Sequence, residues 1–70
     1  MKFDMTLEDN FASFTDSDGL MIFIDSFDNK IFDVRIGTST ESEAVGSVEA
    51  MSDKELNERI LALYKKYKGI

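Results

Sequence analysis

Residues 20–37 read Leu20-Met21-Ile22-Phe23-Ile24-Asp25-Ser26-Phe27-Asp28-Asn29-Lys30-Ile31-Phe32-Asp33-Val34-Arg35-Ile36-Gly37. Two runs of β-branched and aromatic residues, 20–25 and 31–36, flank Asp28-Asn29, a pair suited to tight turns. Asp16-Ser17-Asp18-Gly19 places a turn signal before the first run, and Gly37 closes the second. The stretch predicts an antiparallel hairpin with two competing registers. A three-residue loop aligns Ile22 and Ile24 with Ile36 and Val34 but sets Asp25 opposite Asp33, where like charges repel. A two-residue loop avoids that pair and weakens the aliphatic matching. If Leu20, Ile22, Ile24, Phe32, Val34 and Ile36 face the core, then Met21, Phe23, Phe27 and Ile31 fall on the second face among Asp25, Asp33 and Arg35. Either the N-terminal segment covers them through Phe3, Phe11 or Phe14, or they form a protein-binding or dimerisation face.

Outward from the hairpin, Met51-Ser52-Asp53-Lys54-Glu55-Leu56 carries a helix-start signature. Ser52 is the expected N-cap, Glu55 closes a capping box, and Met51 with Leu56 makes a hydrophobic staple. Leu56, Ile60, Leu63, Tyr64 and Tyr67 recur at helical spacing. Lys65, Lys66 and Lys68 then oppose the negative end of the dipole, and Gly69 suits the position after it. A helix is expected over 53–68. Residues 38–42 are a polar connector, and 43–50 read as a third strand with Gly46 at a bulge, in preference to a loop. Thr6-Leu7-Glu8-Asp9 resembles a capped helix start with Leu7, Phe11 and Phe14 on one face, so a short helix is expected over 7–14. Residues 1–6 and 11–15 also fit short alternating strands. The expectation is a single α+β domain over 1–70, a three-stranded antiparallel sheet with a short N-terminal and a longer C-terminal helix in the order α-β-β-β-α.

Charge is divided along the chain. Residues 1–53 hold twelve carboxylates against Lys2, Lys30 and Arg35, whereas 54–70 hold five cations against Glu55 and Glu58, within a net charge of −6. Such a body repels nucleic acid and anionic membranes, so direct nucleic-acid and membrane partners are not expected. Cys and His are both absent, which removes disulfides, thiolate metal sites and the usual general base. Asp16-Ser17-Asp18-Gly19 fits part of a calcium loop, but the alignment puts Phe14 and Asp25 at its first and last ligand positions. No phosphate-cradling loop or nucleophile elbow appears, so neither enzymatic activity nor a cofactor is expected. The N-terminus carries acids where a signal peptide is apolar, and the longest apolar run, 20–24, is far below the ~20 residues of a membrane span. A cytoplasmic protein is expected.

The element order is also that of the double-stranded-RNA-binding domain, but Ser52-Asp53-Lys54-Glu55 stands where that family places a lysine cluster, so the likeness is set aside. In size, acidity and compactness the chain resembles phage-encoded inhibitors such as anti-CRISPR proteins and uracil-DNA glycosylase inhibitors. No motif carries that resemblance. It is the carboxylates spaced along the hairpin and its loops that point to a non-enzymatic protein-binding domain, a small acidic inhibitor and nucleic-acid mimic that occupies a basic, nucleic-acid-binding surface of a target protein. The expected contact residues are the hairpin and loop carboxylates Asp16, Asp18, Asp25, Asp28, Asp33, Glu41 and Glu43, with Met21, Phe23 and Phe27 as apolar anchors. The alternative is a structural or adaptor module, a homodimer formed through the sheet edge or the second apolar face.

Overall fold

The computed structural model describes residues 2–70. Four strands, β1 (Phe11–Thr15), β2 (Met21–Asp25), β3 (Ile31–Gly37) and β4 (Ser42–Glu49), form an antiparallel meander in the order β1-β2-β3-β4, followed by α1 (Asp53–Lys68). The expected α-β-β-β-α layout is therefore corrected: the sheet has four strands, not three, and no helix spans 7–14. The cap-like signal at Thr6 closes only a turn. Asp9 N–H donates to the Thr6 carbonyl at 3.1 Å, and Thr6 N–H donates to Oδ2 of Asp9 at 2.9 Å. Beyond it, the alternation of 11–15 lets Ala12 and Phe14 turn inward while β1 gains a full ladder with β2. Three apolar residues on a short helix offer no comparable burial.

β2 and β3 pair Ile22 with Ile36, Ile24 with Val34 and Asp25 with Asp33. This is the register that matches the aliphatics and opposes the two carboxylates. All four aliphatic side chains are fully buried, and burying each is worth about 1.5–3 kcal/mol. An exposed like-charge pair costs under about 1 kcal/mol, so burial decides the register. β4 occupies 42–49 with a bulge opposite Val34 and Arg35, next to Gly46. Gly46 has a φ of 147°, and a Cβ there would meet the Leu63 side chain at 3.5 Å.

The core lies between one sheet face and a second layer made of α1 and the N-terminal segment. Leu56, Ile60 and Tyr64 project from α1 onto Ile22, Ile24, Phe32, Val34, Ile36 and Val48. Residues 2–6 bury Phe3 and Met5 but form no strand, so the strand alternative for 1–6 is not met over its described part; Met1 lies outside the described residues. Asn57 on α1 does for this segment what a neighbouring strand would do. Its Oδ1 accepts from Met5 N–H at 2.8 Å and its Nδ2 donates to the Met5 carbonyl at 2.9 Å. Phe3 packs edge-on against Phe14 and Tyr64.

The ends of α1 follow the sequence, with two corrections. Ser52 Oγ accepts from Glu55 N–H at 3.1 Å, and Gly69 adopts the left-handed conformation that closes the last turn. The Glu55 carboxylate reaches Met51 N–H instead of Ser52 N–H. Met51 itself is exposed, so the staple to Leu56 does not form.

Candidate functional site

Because α1 and the N-terminal segment share one face of the sheet, the other face carries no second layer among the described residues. The registers order it in rows across β1 to β4: Phe11, Asp25, Asp33 and Ser47; then Ser13, Phe23, Arg35 and Ala44; then Thr15, Met21, Gly37 and Ser42. Below the first row, Ile31 pairs with Glu49. Met21 and Phe23 are half-buried among their neighbours, while Phe11 is 58% exposed and Ile31 48%. Arg35 joins no ion pair among the described residues, so the opposed Asp25 and Asp33 have no cation bound to them.

The β2–β3 loop at the lower end of this face is built by its own side chains. Ser26 Oγ accepts from Asn29 N–H at 2.9 Å and donates to the Ile31 carbonyl at 2.7 Å. Oδ1 of Asp28 accepts from Ile31 N–H at 3.0 Å and Lys30 N–H at 2.9 Å, and these bonds, that of Ile31 foremost, hold its carboxyl below the usual carboxylate range. Asn29 takes a left-handed φ of 58° that its short polar side chain tolerates, and its Nδ2 donates to the Leu7 carbonyl at 2.8 Å. Phe27 takes no part in this network and stands fully exposed. The chain matches no protein-family model, no curated protein and no solved structure. What this surface can do is set by its own chemistry.

The ten residues expected to contact a partner fall into three places. Met21, Phe23, Asp25 and Asp33 share the uncovered face, and Phe27 and Asp28 sit at its lower end. Glu41 lies exposed in the β3–β4 turn and Glu43 exposed at the start of β4, paired with Ile36, both at the opposite end. Asp16 and Asp18 belong to the β1–β2 turn. Asp16 is not free: its side chain is 2% exposed, with Oδ2 accepting from the Tyr64 hydroxyl at 2.7 Å and Lys68 Nζ at 3.0 Å. Its Oδ1 accepts from Asp18 and Leu20 N–H, both at 2.9 Å. Asp18, exposed, pairs with Lys68 Nζ at 2.6 Å. Asp16 thus latches the end of α1 to the sheet, and Lys68 answers two carboxylates as well as the helix dipole. Phe11, Ile31 and Glu49 complete the uncovered surface but were absent from the expected contact set. The alternation of 11–15 was the signal that would have placed Phe11 there.

The latch predicts a pH profile. The Tyr64 hydrogen bond, seconded by Lys68, holds the Asp16 carboxyl far below its ordinary range. A depressed folded pKa gives stability that is present above the unfolded value, about 3.9, and is lost as pH falls through the folded one. Tyr64 is raised by Asp16, and Lys68 by Asp18 and Asp16. Their stabilisation is complete below about pH 10 and is lost as pH rises through the folded values. Urea midpoints across pH should therefore plateau between about pH 5 and 10. In Asp16→Asn the plateau should be lower and the acid limb shallower. An acid limb identical to that of the parent would show that Asp16 is not the titrating latch.

Proposed function

We propose that the protein is a non-enzymatic protein-binding domain, a small acidic inhibitor that sets its β2–β3 end against a basic, nucleic-acid-binding surface of a target protein. The observation that carries this reading is Phe27, fully exposed on a loop whose backbone is tied down by Ser26, Asp28 and Asn29. An aromatic held out on a pre-organised loop loses little freedom on binding, and such anchors dominate interface energetics. Around it stand Asp25, Asp28, Asp33 and Glu49 against Lys30, with Phe11 and Ile31 exposed alongside. Apolar anchors among carboxylates suit a partner whose phosphate-binding cations surround an apolar spot. The Asp25–Asp33 opposition supports the same reading, because neither carboxylate is ion-paired among the described residues and both stand open to a cation supplied by a partner.

The test begins with capture on the immobilised full chain at about 50 and 500 mM salt, between which screening weakens exposed charge pairs. The recovered protein is then competed with DNA or RNA. A mimic's target is a nucleic-acid-binding protein that is lost at high salt and displaced by nucleic acid. Against that target, Phe27→Ala is expected to weaken binding about tenfold or more. Asp25→Lys with Asp33→Lys should do so more strongly, with circular dichroism and urea midpoint preserved. Asp33 is the better second site than Asp28, whose carboxylate shapes the loop. Affinity that survives both changes would sink the assignment of this surface.

A further inference from the structure

The two edges of the sheet differ. β4 carries Glu43 and Glu49, and its bulge beside Gly46 breaks the even spacing of its outward backbone groups. Charges and bulges of this kind keep a further strand from adding. β1 reads Phe-Ala-Ser-Phe-Thr, with no charge, no proline and no bulge. At its two ends, Ser26 N–H donates to the Asn10 carbonyl and Asp16 N–H donates to the Leu20 carbonyl, each at 2.9 Å. In the β1–β2 register, this makes the even-numbered residues of β1 the ones that exchange bonds with β2. The N–H and C=O of Phe11, Ser13 and Thr15 therefore point away from the sheet. Among the described residues no turn, loop or side-chain group outside the strands bonds to them.

We propose that β1 pairs antiparallel with β1 of a second copy of this chain, across a two-fold axis at Ser13, and joins the two sheets into one. The strand is complementary to itself in that arrangement. Phe11 falls opposite the partner's Thr15 on the uncovered face, and Phe14 opposite the partner's Ala12 on the core side, so a large side chain meets a small one on each. Asn10 falls opposite the partner's Asp16, and no carboxylate opposes another. Three directly opposed pairs supply about six backbone bonds, two for each pair. A basic extended peptide fits this edge less well, because β1 offers it no carboxylate. The inference is independent of the target-binding reading, and it places the uncovered faces of the two copies side by side.

Each copy carries a net charge of −6, so the copies repel at long range and added salt relieves that repulsion. Light scattering of the full chain should show a mass rising from 7.9 kDa to twice that value with concentration. The midpoint should fall to lower concentration when salt is raised from about 50 to 500 mM. Ser13→Pro removes an N–H that β2 does not use, so it leaves the β1–β2 ladder intact. It should weaken dimerisation by about 100-fold or more, since it removes central backbone bonds and wedges the edge. Ser13→Lys, which keeps the backbone donor and sets two ammonium groups face to face, should have the same effect, and circular dichroism checks that each variant folds. A mass of 7.9 kDa at every concentration, or a dimer that tolerates both substitutions, would overturn the proposal.

Discussion

Phe32→Ala is expected to destabilise the fold by about 3–5 kcal/mol, the range for truncating a buried aromatic. Phe32 is fully buried at the start of β3, opposite Val48 of β4. It is the largest side chain among those with no exposure, and the core around it is small. A domain of this length has only about 4–10 kcal/mol of stability in all, so this one truncation should leave a substantial unfolded population at room temperature. Urea denaturation followed by circular dichroism reads the effect, with Phe27→Ala as the matched control. Phe27 touches nothing that the fold needs, and its truncation should move the midpoint by no more than about 0.5 kcal/mol of stability. Equal losses for the two phenylalanines would mean that the division into buried and uncovered faces is wrong.

That division was legible in the sequence wherever a run was long enough to alternate. The hairpin of β2 and β3 and the stripe Leu56, Ile60 and Tyr64 on α1 follow from periodicity alone, because each buries enough apolar surface to outweigh local preference. Placement of Met21, Phe23 and Ile31 on the second face was conditional on the register and on which face is buried. Both are fixed only by the pairing of Ile22 with Ile36 and Ile24 with Val34 and by the burial of those four side chains. Residues 6–15 were not legible in this way. A cap-like Thr6-Leu7-Glu8-Asp9 and a five-residue alternation compete within one short stretch, and the free side of β2 settles the contest by offering β1 a ladder. The candidate site divides along the same line. Phe27, expected on the second face, stands in the loop instead because β2 ends at Asp25. Asp28 lies in a turn that the sequence marks, so its exposure could be expected. The latching of Asp16 could not, because Tyr64 and Lys68 stand 48 and 52 residues away. A carboxylate in a turn motif reads as solvated until its distant partners are placed.

Gly37→Ala should be nearly as damaging as the loss of Phe32, though the sequence marks Gly37 only as the end of a strand. Gly37 is buried where β3 enters the turn to β4, paired with Ser42. A Cβ there would lie 2.1 Å from the Glu41 carbonyl oxygen and 2.6 Å from the Ser42 Cα. Both are backbone atoms, so no side-chain rotation relieves the clash and the turn itself must open. The bonds across that turn, Thr38 N–H to the Glu41 carbonyl at 2.6 Å and Glu41 N–H to Thr38 Oγ1 at 3.1 Å, would be strained with it. Overpacking commonly costs about 1–3 kcal/mol, and a clash against fixed backbone belongs at or above the top of that range. Gly19→Ala is the contrast. A Cβ at Gly19 meets nothing within 4 Å, and only its φ of 82° resists the change, for which about 1–2 kcal/mol is expected. Hydrogen exchange should show the larger loss in Gly37→Ala concentrated in β4, whose amides are held by that turn, while β1 and β2 keep their protection relative to global unfolding. Loss spread evenly over the sheet would mean that β4 does not depend on the turn for its place.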